Sequence, residues 1–232
     1  MLEFFLMIII TGTGRSGSSL LAKLFKELGS PVSGGWSEKI NAGLEDPDVV
    51  ALNCKILAFS GVKRPEDRWD TALLSQEYAL LSANEFSNEI KTIAEKKEIV
   101  KDPRFILTLP VWVMSGIRPD KVFFCSRNLD DVARSKMAYQ NWEQKLTKKM
   151  WINHLQAQIR WFFRWVEAFN LPVFSVRYPD FFENLPEFFI NELAILTKQP
   201  SEVVRKKIKT VFDPDLVHFS NENISDKNKR AK

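Results

Sequence analysis

The strongest constraint on this chain lies near its start. Ile8-Ile9-Ile10-Thr11 runs directly into Gly12-Thr13-Gly14-Arg15-Ser16-Gly17-Ser18-Ser19, and then into Leu20-Leu21-Ala22-Lys23-Leu24-Phe25-Lys26-Glu27-Leu28-Gly29. An unbroken β-branched run suits a parallel strand buried on both faces. The leucines that follow the glycines recur at helical spacing, and Gly29 stands where a helix would stop. The segment therefore reads as strand, glycine loop, helix, the first unit of an α/β sheet. The apolar stretch Phe4 to Ile10 also invites comparison with a signal peptide. It has no basic n-region, it enters a glycine turn instead of a cleavage site, and it is far too short to span a bilayer.

The rest of the chain continues the alternation. Ser30 to Ala42 is rich in Gly and Ser and reads as a loop, followed by helices over Pro47–Ser60 and Ser75–Lys97. Glu98 to Pro103 is a short buried strand, with Pro103 placed to open a helix. Strands are expected again over Lys121–Arg127 and Pro172–Arg177, with helices over Asp130–Tyr139 and Lys148–Asn170. In the last of these, Ile152, Leu155, Ile159, Phe162, Val166 and Phe169 form an apolar stripe stepping by three or four. Strands alternating with helices predict a parallel sheet with helices on both faces. At 232 residues the chain suits one domain over 1–220, with 221–232 as a polar, basic tail.

Charge and cysteine content narrow the function. The 33 Lys+Arg against 29 Asp+Glu leave a net +4, too small an excess to indicate nucleic acid but compatible with an anionic small ligand. Cys54 and Cys125 both lie in apolar settings, which favours free thiols and a reducing, cytoplasmic location. No CxxC or Cys/His cluster suggests a metal.

The Gly12–Ser19 segment has the spacing of a Walker A loop, but Ser18 occupies the lysine position and the nearest cation is Arg15. Glycines let the backbone turn tightly, and successive N–H groups with a helix N-terminus form an anion-binding nest. A glycine, a basic residue, Ser or Thr, Gly and two hydroxyl residues resemble the loop of the sulfotransferases that use 3′-phosphoadenosine-5′-phosphosulfate (PAPS). The resemblance implies a three-layer α/β fold of the P-loop type. It also implies that Gly14, Arg15, Ser16, Gly17, Ser18 and Ser19 bind the 5′-phosphosulfate without a metal. An ATP- or GTP-handling P-loop protein is the rival reading. It lacks the loop lysine, and its only candidate for the Mg²⁺-holding carboxylate is Asp102, flanked by Lys101 and Pro103.

Three further segments resemble the same family. Arg127-Asn128-Leu129-Asp130-Asp131-Val132-Ala133-Arg134-Ser135 is similar to the strand-end arginine and helix serine that grip the 3′-phosphate, which assigns that task to Arg127 and Ser135. The plain alternative is that Arg127 and Arg134 pair with Asp130 and Asp131 on a solvated face. Lys101-Asp102-Pro103-Arg104 resembles the KDP segment of tyrosylprotein sulfotransferases and the KDPR segment of bacterial members. It implies that Lys101 reaches the sulfonate; otherwise Lys101 is a snorkelling surface lysine. Phe174 to Phe181 resembles a strand followed by Arg-Tyr-Glu-Asp-Leu, with Pro179 replacing the glutamate. It makes Tyr178 an adenine-side candidate, or else a packed tyrosine. Asn41 to Asn53 is similar to the "GyfE…vv.lN" stretch of bacterial sulfotransferase-like proteins. The Arg-Lys-Gly loop of the cytosolic animal enzymes is not visible.

The implied catalytic set is Arg15 and Lys101 on the transferring group, with a carboxylate as general base. Histidine serves that role in animal cytosolic enzymes, but Pro103 stands at its position, and His154, in mid-helix, reads as a packing residue at the core boundary. Tyrosylprotein sulfotransferases use a glutamate after the first helix, which nominates Glu45 first and Glu38 second. Either could instead be a loop carboxylate or a helix-start charge ahead of Pro47. The acceptor (carbohydrate, lipid, small metabolite or peptide) is not legible, and a non-catalytic module that binds PAPS or its bisphosphate product is a third reading. The aromatic residues of the long helix read as core.

Overall fold

The computed structural model describes residues 7–37, 42–61, 72–139, 146–178 and 185–212. In chain order the elements are β1 (Ile8–Gly12), α1 (Ser18–Glu27), β2 (Trp36–Ser37), β3 (Ala42–Gly43), α2 (Pro47–Phe59), α3 (Gln76–Ala94), β4 (Ile99–Lys101), α4 (Phe105–Met114), β5 (Lys121–Ser126), α5 (Leu129–Tyr139), α6 (Lys148–Ala168), β6 (Val173–Arg177), α7 (Glu187–Thr197) and α8 (Ser201–Val211). Four strands form one sheet in the order β4-β1-β5-β6, all parallel. β2 and β3 make a separate antiparallel pair, β2 inside the segment read as a loop and β3 across its end.

Strand periodicity divides the core into two layers. Ile9, Val100, Val122 and Phe124 point to one face, where they meet α2, α3, α4 and α6. Ile8, Ile10, Ile99, Phe123, Cys125 and Val176 point to the other, against α1, α7 and α8. The result is a three-layer α/β fold, as the strand–helix alternation predicts. Aromatic contacts fix each layer: Phe124 stacks on Phe162 at 4.7 Å, and Phe25 meets Phe123 edge-on at 5.5 Å. α4 is apolar on every side and nearly all of it is buried, as expected of a helix enclosed by neighbours.

Helix ends follow local chemistry. The Asp46 side chain accepts from the Asp48 and Val49 amides to cap α2, with Pro47 at the first helical position. Gly29, at φ 89°, closes α1 where the sequence places the stop, and the Ser30 amide returns to the Phe25 carbonyl. In α6 the buried side is Trp151, Leu155, Gln158, Phe162 and Trp165, while Ile159, Val166 and Phe169 are only partly buried. The buried stripe is thus displaced by about one residue from the predicted one. The two tryptophans bring more apolar area than the aliphatic residues they displace from the seam. Gln158 is tolerated there because its amide donates to the Ala72 carbonyl at 3.0 Å. His154 sits half-buried at the edge of this seam.

Neither cysteine is in a disulfide; Cys125 is buried and Cys54 half-buried. Among the described residues no helix is long and apolar enough to cross a membrane.

Candidate functional site at the carboxyl edge of the sheet

All four parallel strands end at the same edge, and the sequence-nominated residues follow those ends. The glycine loop leaves β1, Lys101 ends β4, Arg127 follows β5 and Tyr178 follows β6. The chain runs from β1 out to β4 and then crosses back to β5 on the other side of β1. The helix after β1 packs on one face, and α6, which follows β5 by way of α5, packs on the opposite one. This reversal makes the boundary between β1 and β5 a topological switch point, the usual ligand position in an open parallel sheet.

The loop conformation depends on its glycines. A Cβ on Gly12 would lie 2.2 Å from the Cys125 carbonyl oxygen, so the close approach of β1 to β5 excludes any side chain there. Gly14, Arg15 and Gly17 have φ of 65°, 59° and 90°. For Arg15 the left-handed conformation costs about 1 kcal/mol. Its side chain is anchored to α5, where Arg15 Nε donates to Ser135 Oγ at 3.1 Å. Residues that the resemblance assigns to opposite ends of the donor therefore meet directly. Ser16 Oγ is buried without a hydrogen-bond partner, and Ser18 and Ser19 open α1, whose first turn carries no acidic side chain. First-turn amides have no partner inside the helix, so this end is electropositive.

β6 closes the loop from the other side. A Cβ on Gly17 would meet Tyr178 Cδ2 at 2.9 Å, which shows how tightly that ring covers the turn. The Arg127 guanidinium lies 5.1 Å from the centre of the Tyr178 ring, and the Tyr178 amide donates to the Ser126 carbonyl. Arg127 Nε is 3.8 Å from Asp131, a loose pair, while Asp130 pairs with Lys148. Tyr178 is buried, and burial pushes its hydroxyl above the ordinary value against the opposing charge of Arg127.

Lys101 is 3% exposed, which removes the surface-lysine alternative. Its Nζ donates to Glu45 Oε1 at 2.6 Å, and Arg104 Nη1 stands 3.5 Å from Glu45 Oε2. Glu45 reaches this place through backbone packing. A Cβ on Gly34 would lie 2.3 Å from the Glu45 carbonyl oxygen, and the Gly43 amide donates to Ser19 Oγ, seating the β2–β3 pair against α1. Burial alone would raise the Glu45 pKa; the Lys101 charge and hydrogen bond, helped by Arg104, hold it below 4.5 instead. Asp46, not Glu45, takes the helix-start role. Glu38, the second candidate base, lies outside the described residues.

Asn53 and Arg104 were not among the nominated site residues. Asp102 is fully buried, and both its oxygens are engaged: Oδ1 accepts from the Arg104 amide and Nη1, each at 2.9 Å, and Oδ2 from Asn53 Nδ2 at 2.9 Å. The signal for Arg104 was present in the Lys101–Arg104 run. The partnership with Asn53, 49 residues earlier, has no local signature. Among the described residues no group of three or more His, Cys, Asp or Glu could hold a metal ion.

The arrangement gathers Arg15, Lys101 and Arg127 at the carboxyl edge of a parallel sheet, with Glu45 paired to Lys101 and Asp131 beside Arg127. No protein-family model matches the chain, and no curated protein matches it.

Proposed function

We propose that the protein is a sulfotransferase that uses PAPS as donor. The observation that carries the reading is the convergence of three cations from three neighbouring strand ends on a glycine loop whose own lysine position is Ser18. Sulfuryl transfer, like phosphoryl transfer, depends mainly on positioning and on neutralising the charge of the transferred group. In this reading the 5′-phosphosulfate lies on the Gly14–Ser19 backbone with Arg15, and Lys101 stabilises the sulfonate. Arg127 and Ser135 hold the 3′-phosphate, and Tyr178 flanks the adenine. An acceptor hydroxyl attacks sulfur and the S–O bond to the phosphate breaks. The acceptor proton passes to Glu45, and adenosine 3′,5′-bisphosphate leaves.

The rival nucleotide-kinase or NTPase reading is weakened because its one candidate metal-holding carboxylate, Asp102, has both oxygens occupied. Calorimetric titration separates the readings. Metal-independent binding of adenosine 3′,5′-bisphosphate in the micromolar range is expected, and ATP with Mg²⁺ should bind far more weakly. The reverse order would establish the nucleotide reading. Binding of bisphosphate without sulfuryl transfer to any class of acceptor would identify a non-catalytic module. A cytoplasmic location is part of the same proposal.

A further inference from the structure

Arg104 has no role in the reading so far, yet it is the hub of a buried chain of polar contacts. Thr108 Oγ1 and Trp112 Nε1 both donate to Asn53 Oδ1, at 2.8 and 2.9 Å, which fixes the Asn53 amide so that its Nδ2 faces Asp102. Asp102 in turn holds Arg104 by backbone and side chain. The Arg104 Nη1 that meets Asp102 is also the atom that faces Glu45. Glu45 is thus shared between two cations of different freedom.

That difference has a physical basis. Arg104 cannot swing away without taking its guanidinium from the buried Asp102, which is strongly unfavourable. Lys101 is a point charge on a flexible stem and can exchange one anion for another at little cost. We propose that Arg104, anchored through Asp102 and Asn53, is the positioning residue that keeps Glu45 in place and ionised when an incoming anion draws Lys101 away from it. In the sulfotransferase reading, on which this second half rests, the anion is the donor sulfonate. Among the described residues the charged groups facing Glu45 are Lys101 from β4 and Arg104 ahead of α4, and behind Arg104 lies Asp102, whose pKa burial raises against the opposing charge of Arg104. Loss of the nearer cation strengthens Glu45 as a base, so donor binding and base activation are coupled through one side chain.

The decisive measurement needs no ligand. Lys101→Met imitates departure of the ammonium, and the Glu45 carboxyl carbon is followed by NMR as pH is varied. Circular dichroism verifies that each variant is folded. Lys101→Met should raise the Glu45 midpoint above that of the wild type. Adding Arg104→Gln should raise it again by about one unit, a tenfold change in proton affinity. Arg104→Lys in place of Arg104→Gln should recover part of that rise and remains informative if the glutamine variant fails to fold. A Glu45 midpoint that ignores both substitutions at Arg104 in the Lys101→Met background overturns the proposal.

A second arm compares affinity for PAPS with affinity for adenosine 3′,5′-bisphosphate, a ratio that reports on the sulfonate. Arg104→Lys should lower the ratio several-fold in the wild type and leave it unchanged in Glu45→Gln. An equal loss in both backgrounds would mean that Arg104 does not act through Glu45. Failure of the wild type to bind the bisphosphate, with the titration behaving as expected, removes the sulfotransferase reading and leaves the positioning role standing.

Discussion

Lys101 Nζ and Glu45 Oε1 lie 2.6 Å apart, joining the last residue of β4 to the residue ahead of the α2 cap. The two partners are unequally buried, at 3% and 34% side-chain exposure, so the pair is an asymmetric one. Its ammonium has nowhere to go but toward an anion, whereas its carboxylate keeps some contact with water.

Truncating the carboxylate should therefore be the more damaging change. Glu45→Ala leaves Lys101 buried without its partner and should cost about 1–3 kcal/mol in urea unfolding. Lys101→Met removes a buried charge, keeps the volume and leaves Glu45 to Arg104 and solvent, so its cost should be smaller. If the proposed sulfotransferase reading holds, Glu45→Gln should slow sulfuryl transfer at least a hundredfold while sparing bisphosphate affinity. Wild-type turnover in that variant would remove Glu45 as the base.

Acid sensitivity follows from the two neighbouring carboxylates. Burial opposes ionisation of both, but Lys101 and Arg104 hold the Glu45 pKa down. Lys97 and the Val49 amide do the same for Asp46. Folded-state values depressed below 4.5 and 3.8 contribute stability that is complete above those ordinary values and disappears as pH falls through the depressed ones. Urea midpoints measured from pH 7 down to pH 2 should drop across that acidic window. The drop should be shallower in Glu45→Gln and in Asp46→Asn.

Asn53 joins α2 to α4 and to the end of β4. Asn53→Leu removes the donor to Asp102 Oδ2 and the side-chain acceptor shared by Thr108 and Trp112, and should cost about 3–5 kcal/mol in thermal or chemical unfolding. Asn53→Asp places a second carboxylate against Asp102. Its loss of stability should be largest at neutral pH and partly recovered in mild acid, a pattern that Asn53→Leu lacks.

The loop glycines should separate folding from binding. At Gly12 the obstacle is the Cys125 backbone, so Gly12→Ala must push β1 from β5 and should cost about 3 kcal/mol. At Gly17 the obstacle is the Tyr178 ring, and the left-handed φ adds strain, in total about 1–2 kcal/mol. Gly17→Ala should fold, yet, in the proposed sulfotransferase reading, lose bisphosphate affinity by tenfold or more as the ring is displaced from the turn. Equal effects of the two substitutions on both stability and binding would contradict this division.

Much of the fold is legible in the sequence. The triple isoleucine of β1, the helical spacing after the glycines, the Gly29 stop and the short strands at Ile99, Lys121 and Val173 are local signals. Each depends on side chains within a few residues of one another. The displaced stripe of α6 shows where local reading ends, since choosing between tryptophan and aliphatic seams requires the surface that the helix meets. The two-residue strands β2 and β3 escaped for the same reason, being held by Gly34 and Gly43 against partners that sequence alone does not reveal.

The sequence by itself determined the glycine loop, the cations that follow β1, β4 and β5, and the parallel α/β class, because periodicity and turn chemistry are written in neighbouring residues. Tertiary structure alone decided that Arg15 meets Ser135, that Tyr178 covers Gly17, and that Glu45 is gripped by Lys101 with Arg104 behind it. Those contacts join residues from about 55 to 160 positions apart, brought together only when the strands align in the order β4-β1-β5-β6. Pairing at that range is set by how the sheet and its two helical layers exclude water, which no local stretch of the chain encodes.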